Sequence, residues 1–371
     1  MGYVAVKGGQ KAILASSELT GYYRLRHAPG SLDVGMLPSQ MRFLVDRVMS
    51  EAGFYAPKHA ALALKQAQGD VYEAAFLLRA YRSTVPRNHV SLPLDTQGMR
   101  LIRRISSAFR DIPGGQILGP TFDYAHRLLQ FDLLDEPPEA IAQVLKRVED
   151  RYSAEEDQEP ALFPRVSDFL REEGLMAPPH PGAGEEEPFD ITRFKLPFPA
   201  PRSARLQTMA RGETGAMVAL AYSSLRGYGA VHPTIGELRV GYCALILPYP
   251  LENGESVYAG ELLITEVEAI NGFAGTEPGE PVQLVLGYGV SFGQNEVKSI
   301  AMSVLDRALD VVSGTEPVHD EEYVLSHIDS IESAGFISHL KLPHYVTFQS
   351  ELDRLRTVRQ TPDTGSREGI R

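Results

Sequence analysis

Residues 335 to 345 read Gly-Phe-Ile-Ser-His339-Leu-Lys341-Leu-Pro343-His344-Tyr345, two imidazoles five residues apart around a proline on a mostly apolar segment. Imidazole is a common zinc ligand, and a bend can aim two rings at one ion or phosphate. Pro343 forbids a continuous helix through His344 and pushes Leu342 toward extended geometry. The pair therefore differs from H-E-x-x-H, in which both rings share a helical face. Spacing alone also fits a helix-end cap beside a surface side chain.

A denser constellation lies at Asp111-Ile-Pro-Gly-Gly-Gln116 and Gly119-Pro-Thr-Phe-Asp123-Tyr124-Ala-His126-Arg127. On a helix, Asp123 and His126 would share a face, and a hydrogen bond between them would raise the basicity of His126 or fix its tautomer. Asp123 would serve equally as the cap of a helix holding Tyr124 to Phe131. Lys7-Gly8-Gly9 follows the apolar run Val4-Ala-Val6 and precedes a helical-looking stretch from Ala12 to Glu18. Glycines let backbone amides approach an anion at a helix start, although a plain tight turn has the same composition. It is not a Walker A loop, and that string occurs nowhere in the chain.

The loop Tyr222-Ser-Ser-Leu-Arg226-Gly-Tyr228-Gly-Ala-Val-His232-Pro233 offers rings for stacking and a guanidinium, the makings of a purine or phosphate site. Tyrosines buried at a subunit contact would read the same way. Glu266 and Glu268 fall on one side of a predicted strand, with Glu261 before them. Paired carboxylates suit stabilisation of an oxocarbenium-like centre and delivery of a proton, while an exposed strand face needs no chemistry.

A formal charge of −12 argues against nonspecific binding to nucleic acid, which depends on a cationic surface. Yet Arg100, Arg103, Arg104 and Arg110 crowd together, as do Arg202, Arg205 and Arg211, while residues 149 to 187 are acidic. Local basic patches suit a small polyanion such as a nucleoside triphosphate, or helix faces paired with nearby carboxylates. Cys243 is the single cysteine, which excludes internal disulfides and an iron-sulfur cluster held by this chain alone. No stretch approaches the roughly 20 apolar residues of a membrane helix, and no signal peptide is evident, so a cytoplasmic protein without membrane contact is expected.

The elements that must hold these groups fall into three regions of an α+β chain, 371 residues long and 43% hydrophobic. Residues 1–135 read as a mostly helical domain. Gln40 to Met49, His59 to Gln68 and Val71 to Arg82 carry apolar residues at helical spacing, Asp70 and Glu73 form a capping pattern, and Thr96 to Phe109 is read as a further helix. Residues 136–201 form a Pro-rich acidic connector with a short helix from Ala140 to Tyr152. Residues 202–360 are mixed α/β: helices at Leu206 to Leu225, Asn295 to Leu309 and Glu321 to Ser333, and strands at Glu237 to Pro248 and Ser256 to Glu268 joined at Asn253-Gly254. The tail from Thr361 to Arg371 has little to bury and is expected to be disordered.

The chain resembles, over nearly its whole length, the I subunit of the bacterial carbon-phosphorus lyase core complex. Besides the histidine segment, the resemblance rests on Tyr3-Val-Ala-Val-Lys-Gly-Gly9, Ala61-Leu-Ala-Leu-Lys-Gln66, Phe76-Leu-Leu-Arg-Ala-Tyr-Arg82, Asp111 to Gln116 and Leu118-Gly-Pro-Thr121. It continues through His126-Arg-Leu-Leu129, Leu220-Ala-Tyr-Ser223, Arg226-Gly-Tyr-Gly229 and Gly260-Glu-Leu-Leu263. Gln10 departs from the acidic residue expected there, and residues 136–190 align poorly.

The resemblance implies phosphonate catabolism. The subunit, with sister subunits G, H and L, displaces adenine from MgATP by a phosphonate oxygen, and alone it behaves as a nucleosidase. It implies assembly with G, H and J and with the ATP-binding-cassette-type subunits K and L. At His339 and His344 it implies zinc, shared with a partner or substrate, near the iron-sulfur J subunit. Such chemistry needs cations for the triphosphate, a carboxylate near ribose C1 and an acid for the departing base. Lys7, Arg202 and Arg205 with the Gly8-Gly9 backbone are the candidates for the first, beside the Arg226–Tyr228 loop. Asp111 or Glu266 is the candidate for the second, and Asp123 with His126 for the third. A scaffold whose chemistry needs its neighbours, and a metal-dependent phosphoester hydrolase, are the competing readings.

Overall fold

The computed structural model describes residues 8–152, 163–178, 187–228, 232–248, 255–275, 279–311, 314–342 and 344–360. The chain divides into two compact units, Val34–Asp329 and a second formed by Met1–Asp33 with Ser330–Arg371. In chain order the helices are α1 (Gly9–Leu25), α2 (Leu37–Gln40), α3 (Arg42–Ala52), α4 (Pro57–Gln66), α5 (Val71–Thr84), α6 (Pro138–Tyr152) and α7 (Val166–Glu172). They continue with α8 (Arg202–Ala210), α9 (Thr214–Ser223), α10 (Glu296–Ala308), α11 (Glu321–His327), α12 (Ser330–His339) and α13 (Tyr345–Gln360). The strands are β1 (Arg100–Ile105), β2 (Thr234–Pro248), β3 (Ser256–Ala274) and β4 (Gln283–Phe292), joined in the order β1-β2-β3-β4 with every neighbour antiparallel.

The fold is α+β, helix-rich towards the N-terminus and mixed towards the C-terminus. Three helices, α3, α4 and α5, close a small core around Val45, Val48, Met49, Ala60, Leu64, Ala74 and Leu78. The α5 cap forms as the sequence predicts, with Asp70 accepting from the Glu73 amide at 3.0 Å. A second core gathers α8, α9, α10 and α11 around Met209, Met217, Met302, Leu305 and Val324.

The helix expected from Thr96 to Phe109 is not formed; Arg100–Ile105 is strand β1, paired with β2. Three arginines at helix-like spacing mislead there, because Arg104 is buried by an ion pair to Glu237, 2.6 Å away on the neighbouring strand. The helix expected from Leu206 to Leu225 is broken into α8 and α9, where Glu213 caps α9 by accepting from the Gly215 amide at 2.8 Å. Likewise Glu321 to Ser333 divides into α11 and the start of α12. The β2–β3 hairpin pairs from Thr234 with Ile270 to Pro248 with Ser256; its turn, Asn253-Gly254, lies outside the described residues, as does the tail from Thr361.

The edge strand β4 lies against α10 at close range. A Cβ on Gly287 or Gly289 would meet the Ser303 or Ser299 carbonyl oxygen at 1.8 or 1.9 Å, so only glycine permits this approach. The sheet face towards α10 is apolar, with Leu238, Val240, Val267 and Ala269 buried beside Ile300.

Candidate functional site

The opposite sheet face carries charge. Strand alternation turns Glu237 and Arg239 of β2, Glu266 and Glu268 of β3, and Tyr288 of β4 to this side, in register across the sheet. Apolar patches flank the stripe: Met99, Cys243 and Ile264 at one end, and Ile112, Val166, Leu170 and Met176 at the other. Arg165, just before α7, reaches over the stripe and bridges the two carboxylates, with Nη1 3.0 Å from Glu268 and Nη2 3.3 Å from Glu266.

Glu266 is 2% exposed, so the exposed strand face weighed from sequence is not what forms. Its Oε2 accepts from Arg239 Nε at 3.2 Å, and its Oε1 accepts from Tyr288 Oη at 2.8 Å and Thr96 Oγ1 at 2.9 Å. Burial opposes its ionised form, but the charges of Arg239 and Arg165 more than offset this and hold the carboxyl below the usual range. Glu268, two residues on, is pushed the other way. Burial raises its carboxyl above the ordinary value, against the pull of Arg165. Burial and the neighbouring Glu266 charge raise the Tyr288 phenol well above its ordinary value, which keeps its proton on the Glu266 bond. Two neighbouring carboxyls pushed in opposite directions are the arrangement from which an acid and an electrostatic stabiliser can be made.

Two clefts meet at Tyr288. One, of about 680 Å³, is lined by Arg171, Arg202, Glu268, Tyr288, Arg307 and Asp310 among others. The second, of about 460 Å³, is bounded by Leu94, Thr96, Ile264, Tyr288, Val290 and Phe292, with Arg82 and Arg211 at its wall. Helix α8 lines both, through Arg202 and Leu206 at its start and Gln207 and Ala210 at its end. Behind the second cleft, buried Lys298 donates to Ser50 Oγ and to the Ala210 carbonyl, each at 2.7 Å. Burial brings the Lys298 ammonium down to about 7.

The other residues singled out from sequence are dispersed. Arg202 lines the first cleft with its guanidinium 2.6 Å from Asp306, while Arg205 is buried on Asp310 (2.8 Å) and the Leu309 carbonyl. Asp111 is 94% exposed, 4.0 Å from Arg110. The helix expected to hold Tyr124 to Phe131 is absent, so Asp123 and His126 do not share a helical face; Asp123 pairs with Arg103, and no hydrogen bond joins it to His126 among the described residues. Arg226 is exposed in a π-helical turn, Ser224–Tyr228, and the residues following Tyr228, 229–231, lie outside the described ones. Lys7 also lies outside them. Gly8 and Gly9 have φ of 101° and 57° at the start of α1.

His339 and His344 come together within the smaller unit, at the end of α12 and just before α13, with ring centroids 5.1 Å apart. His339 Nδ1 donates to the Phe336 carbonyl, and His344 Nδ1 donates to the Leu342 carbonyl at 2.7 Å. Each carbonyl fixes the tautomer that leaves Nε2 as the ring's lone-pair donor, the state a metal ligand needs. Among the described residues no group of three or more His, Cys, Asp or Glu is arranged to hold a metal, so the pair supplies part of a shell.

The molecule is thus an α+β protein with a buried carboxylate pair beside an arginine-lined cleft. The family model described as "Bacterial phosphonate metabolism protein (PhnI)" matches residues 2–362, and the chain belongs to that family. A putative C-P lyase subunit protein, HtxH of Stutzerimonas stutzeri, is 53% identical over 364 residues, 96% of each chain. The alpha-D-ribose 1-methylphosphonate 5-triphosphate synthase subunit PhnI of Escherichia coli K12 is 48% identical over 370 residues, covering 98% of this chain and 100% of the relative. Its counterpart in Rhizobium meliloti is 42% identical over 380 residues, 100% of this chain and 99% of the relative. No helix among the described residues is long and apolar enough to cross a membrane.

Proposed function

We propose that this chain is a subunit of an alpha-D-ribose 1-methylphosphonate 5-triphosphate synthase, the activity named for two of its relatives. It displaces adenine from MgATP with a phosphonate oxygen at ribose C1, and with water when it acts alone. The family match over residues 2–362 carries this reading. The bond from C1 to the base breaks with its electron pair leaving on adenine, a phosphonate oxygen forms the new bond to C1, and a proton neutralises the departing base.

Glu266, kept ionised by Arg239 and Arg165, stabilises the positive charge that develops at C1. Glu268, on the wall of the larger cleft and pushed towards its protonated form, is the acid for adenine. His126 is the alternative acid, and Asp111 the alternative carboxylate. Nε2 atoms of His339 and His344 would hold zinc, with water, substrate or a partner side chain completing the shell. Bound there, zinc would polarise or orient a phosphate or phosphonate oxygen. The partners in this reading are the G, H and J subunits and the K and L subunits, in the cytoplasm.

The test is chromatography of MgATP incubated with the purified chain, then with G, H and L subunits and methylphosphonate. Free adenine in either incubation supports the reading. ADP or phosphate as the product contradicts it in favour of a phosphoester hydrolase, and no adenine in either incubation contradicts it as well.

A further inference from the structure

Among the described residues, one cation on the wall of the larger cleft, Arg307, forms no ion pair. Each other charged side chain named on its wall has a partner: Arg171 has Asp168 at 2.8 Å, Arg202 has Asp306 at 2.6 Å, Glu268 has Arg165 at 3.0 Å, and Asp310 has Arg205 at 2.8 Å. Arg307, on the last turn of α10, lines the same cleft, and its Nε is shut from solvent with no hydrogen-bond acceptor. Among the described residues no carboxylate or carbonyl reaches its guanidinium. Arg307 is half-buried, and a donor cut off from water without an acceptor carries a desolvation cost that an arriving anion would remove. A Cβ on Gly272 would lie 3.6 Å from Arg307 Nε and 3.8 Å from its Nη2, and one on Gly287 would lie 3.2 Å from Arg307 Cβ, so glycine backbone of β3 and β4 lies against this side chain.

We propose that Arg307 is the anchor of a polyphosphate subsite in this cleft, its guanidinium fork taking non-bridging oxygens of the triphosphate of the nucleotide substrate. This rests on the proposed synthase reading. It separates the cation that meets the ligand from Arg202 and Arg205, whose guanidinium groups are occupied by Asp306 and Asp310. A planar fork matches phosphate oxygens two at a time, so lysine at this position is an incomplete substitute.

The experiment titrates inorganic tripolyphosphate with magnesium, and separately adenosine, into the full chain as wild type, Arg307→Ala and Arg307→Lys. The expected result is a loss of about tenfold or more in tripolyphosphate affinity for Arg307→Ala, a smaller loss for Arg307→Lys, and unchanged adenosine binding. The thermal midpoint of Arg307→Ala is expected to equal or exceed that of wild type, because no native ion pair is broken. Tripolyphosphate affinity equal to wild type in both variants overturns the proposal, as does an equal loss for tripolyphosphate and adenosine, which would mark general damage. Adenine release by the wild-type chain or complex is scored in parallel. Adenine release with Arg307-independent tripolyphosphate binding overturns the subsite alone, whereas Arg307-dependent binding without adenine release supports the anion subsite and overturns the synthase reading.

Discussion

On the sheet face towards α10, Leu238, Val240, Val267 and Ala269 are buried against a helix that approaches to glycine-backbone distance. On the other face, the same strands bury Glu237, Arg239, Glu266 and Glu268 beneath Arg165 and Thr96. Strand period two makes both faces from interleaved residues, yet their energetics differ in kind. The apolar face stabilises by removing hydrocarbon from water. The charged face must offset the desolvation of every ion it hides, and a buried ion pair rarely outperforms well-packed apolar side chains of the same volume. Stability alone therefore gives no reason for the charged stripe, which points to the chemistry at its cleft-facing end.

Mutating each face in turn separates their roles. Glu266→Ala removes the carboxylate between Arg239 and Arg165 and is expected to cost about 3–5 kcal/mol in chemical denaturation, because buried Arg239 loses its counter-charge and Arg165 keeps only Glu268. A cost below about 1 kcal/mol would mean that water or relaxation replaces it readily. On the apolar face, Leu238→Ala is expected to cost about 2–4 kcal/mol while leaving adenine release per folded molecule unchanged. Lost activity in that folded variant would dissolve the division of labour between the faces.

Buried Lys298 makes stability depend on pH. Its native value of about 7 lies below that of the unfolded chain, so between these values the unfolded state binds the extra proton and stability rises with pH. Below about 7 both states are protonated, and the burial cost is felt in full. Wild type is expected to gain about 3 kcal/mol relative to Lys298→Met between pH 7 and 9.5, read from denaturation midpoints. Parallel stability curves would show that Lys298 stays charged in the fold. The smallest effect is expected at the half-buried histidine pair. His339→Ala should change stability by less than about 0.5 kcal/mol while lowering the zinc content of the purified assembly, and metal analysis showing equal zinc would remove that residue from the shell.

The β2–β3 hairpin was legible in the sequence because its alternation and its Asn-Gly turn are local signals. Strand β1 was not, because Arg100, Arg103 and Arg104 have the spacing of a helix's polar face, and what makes them a strand is pairing with β2, more than 130 residues on for Arg104 and Glu237. The same distance effect governs the site. Period two places Glu266 and Glu268 together, but their burial and opposite shifts depend on Arg165, about 100 residues earlier. Asp123 and His126 looked like neighbours on a helix, whereas Arg103 takes the carboxylate and no helix forms around them. Arg307 carried no sequence signal, since what distinguishes it, an Nε without an acceptor among the described residues, is set in three dimensions. The histidine pair was readable from its own five-residue spacing around Pro343, and the rings do meet.

The most direct test of the account measures adenine release from MgATP and methylphosphonate by the assembled complex carrying Glu268→Gln, across pH. Glutamine keeps the shape of the side chain and removes the titrating proton. The account predicts a loss of roughly 100-fold or more, together with disappearance of the fall in rate as Glu268 deprotonates on the alkaline side. Release at the wild-type rate with an unchanged pH profile would contradict it and return the role of acid to Asp123 and His126.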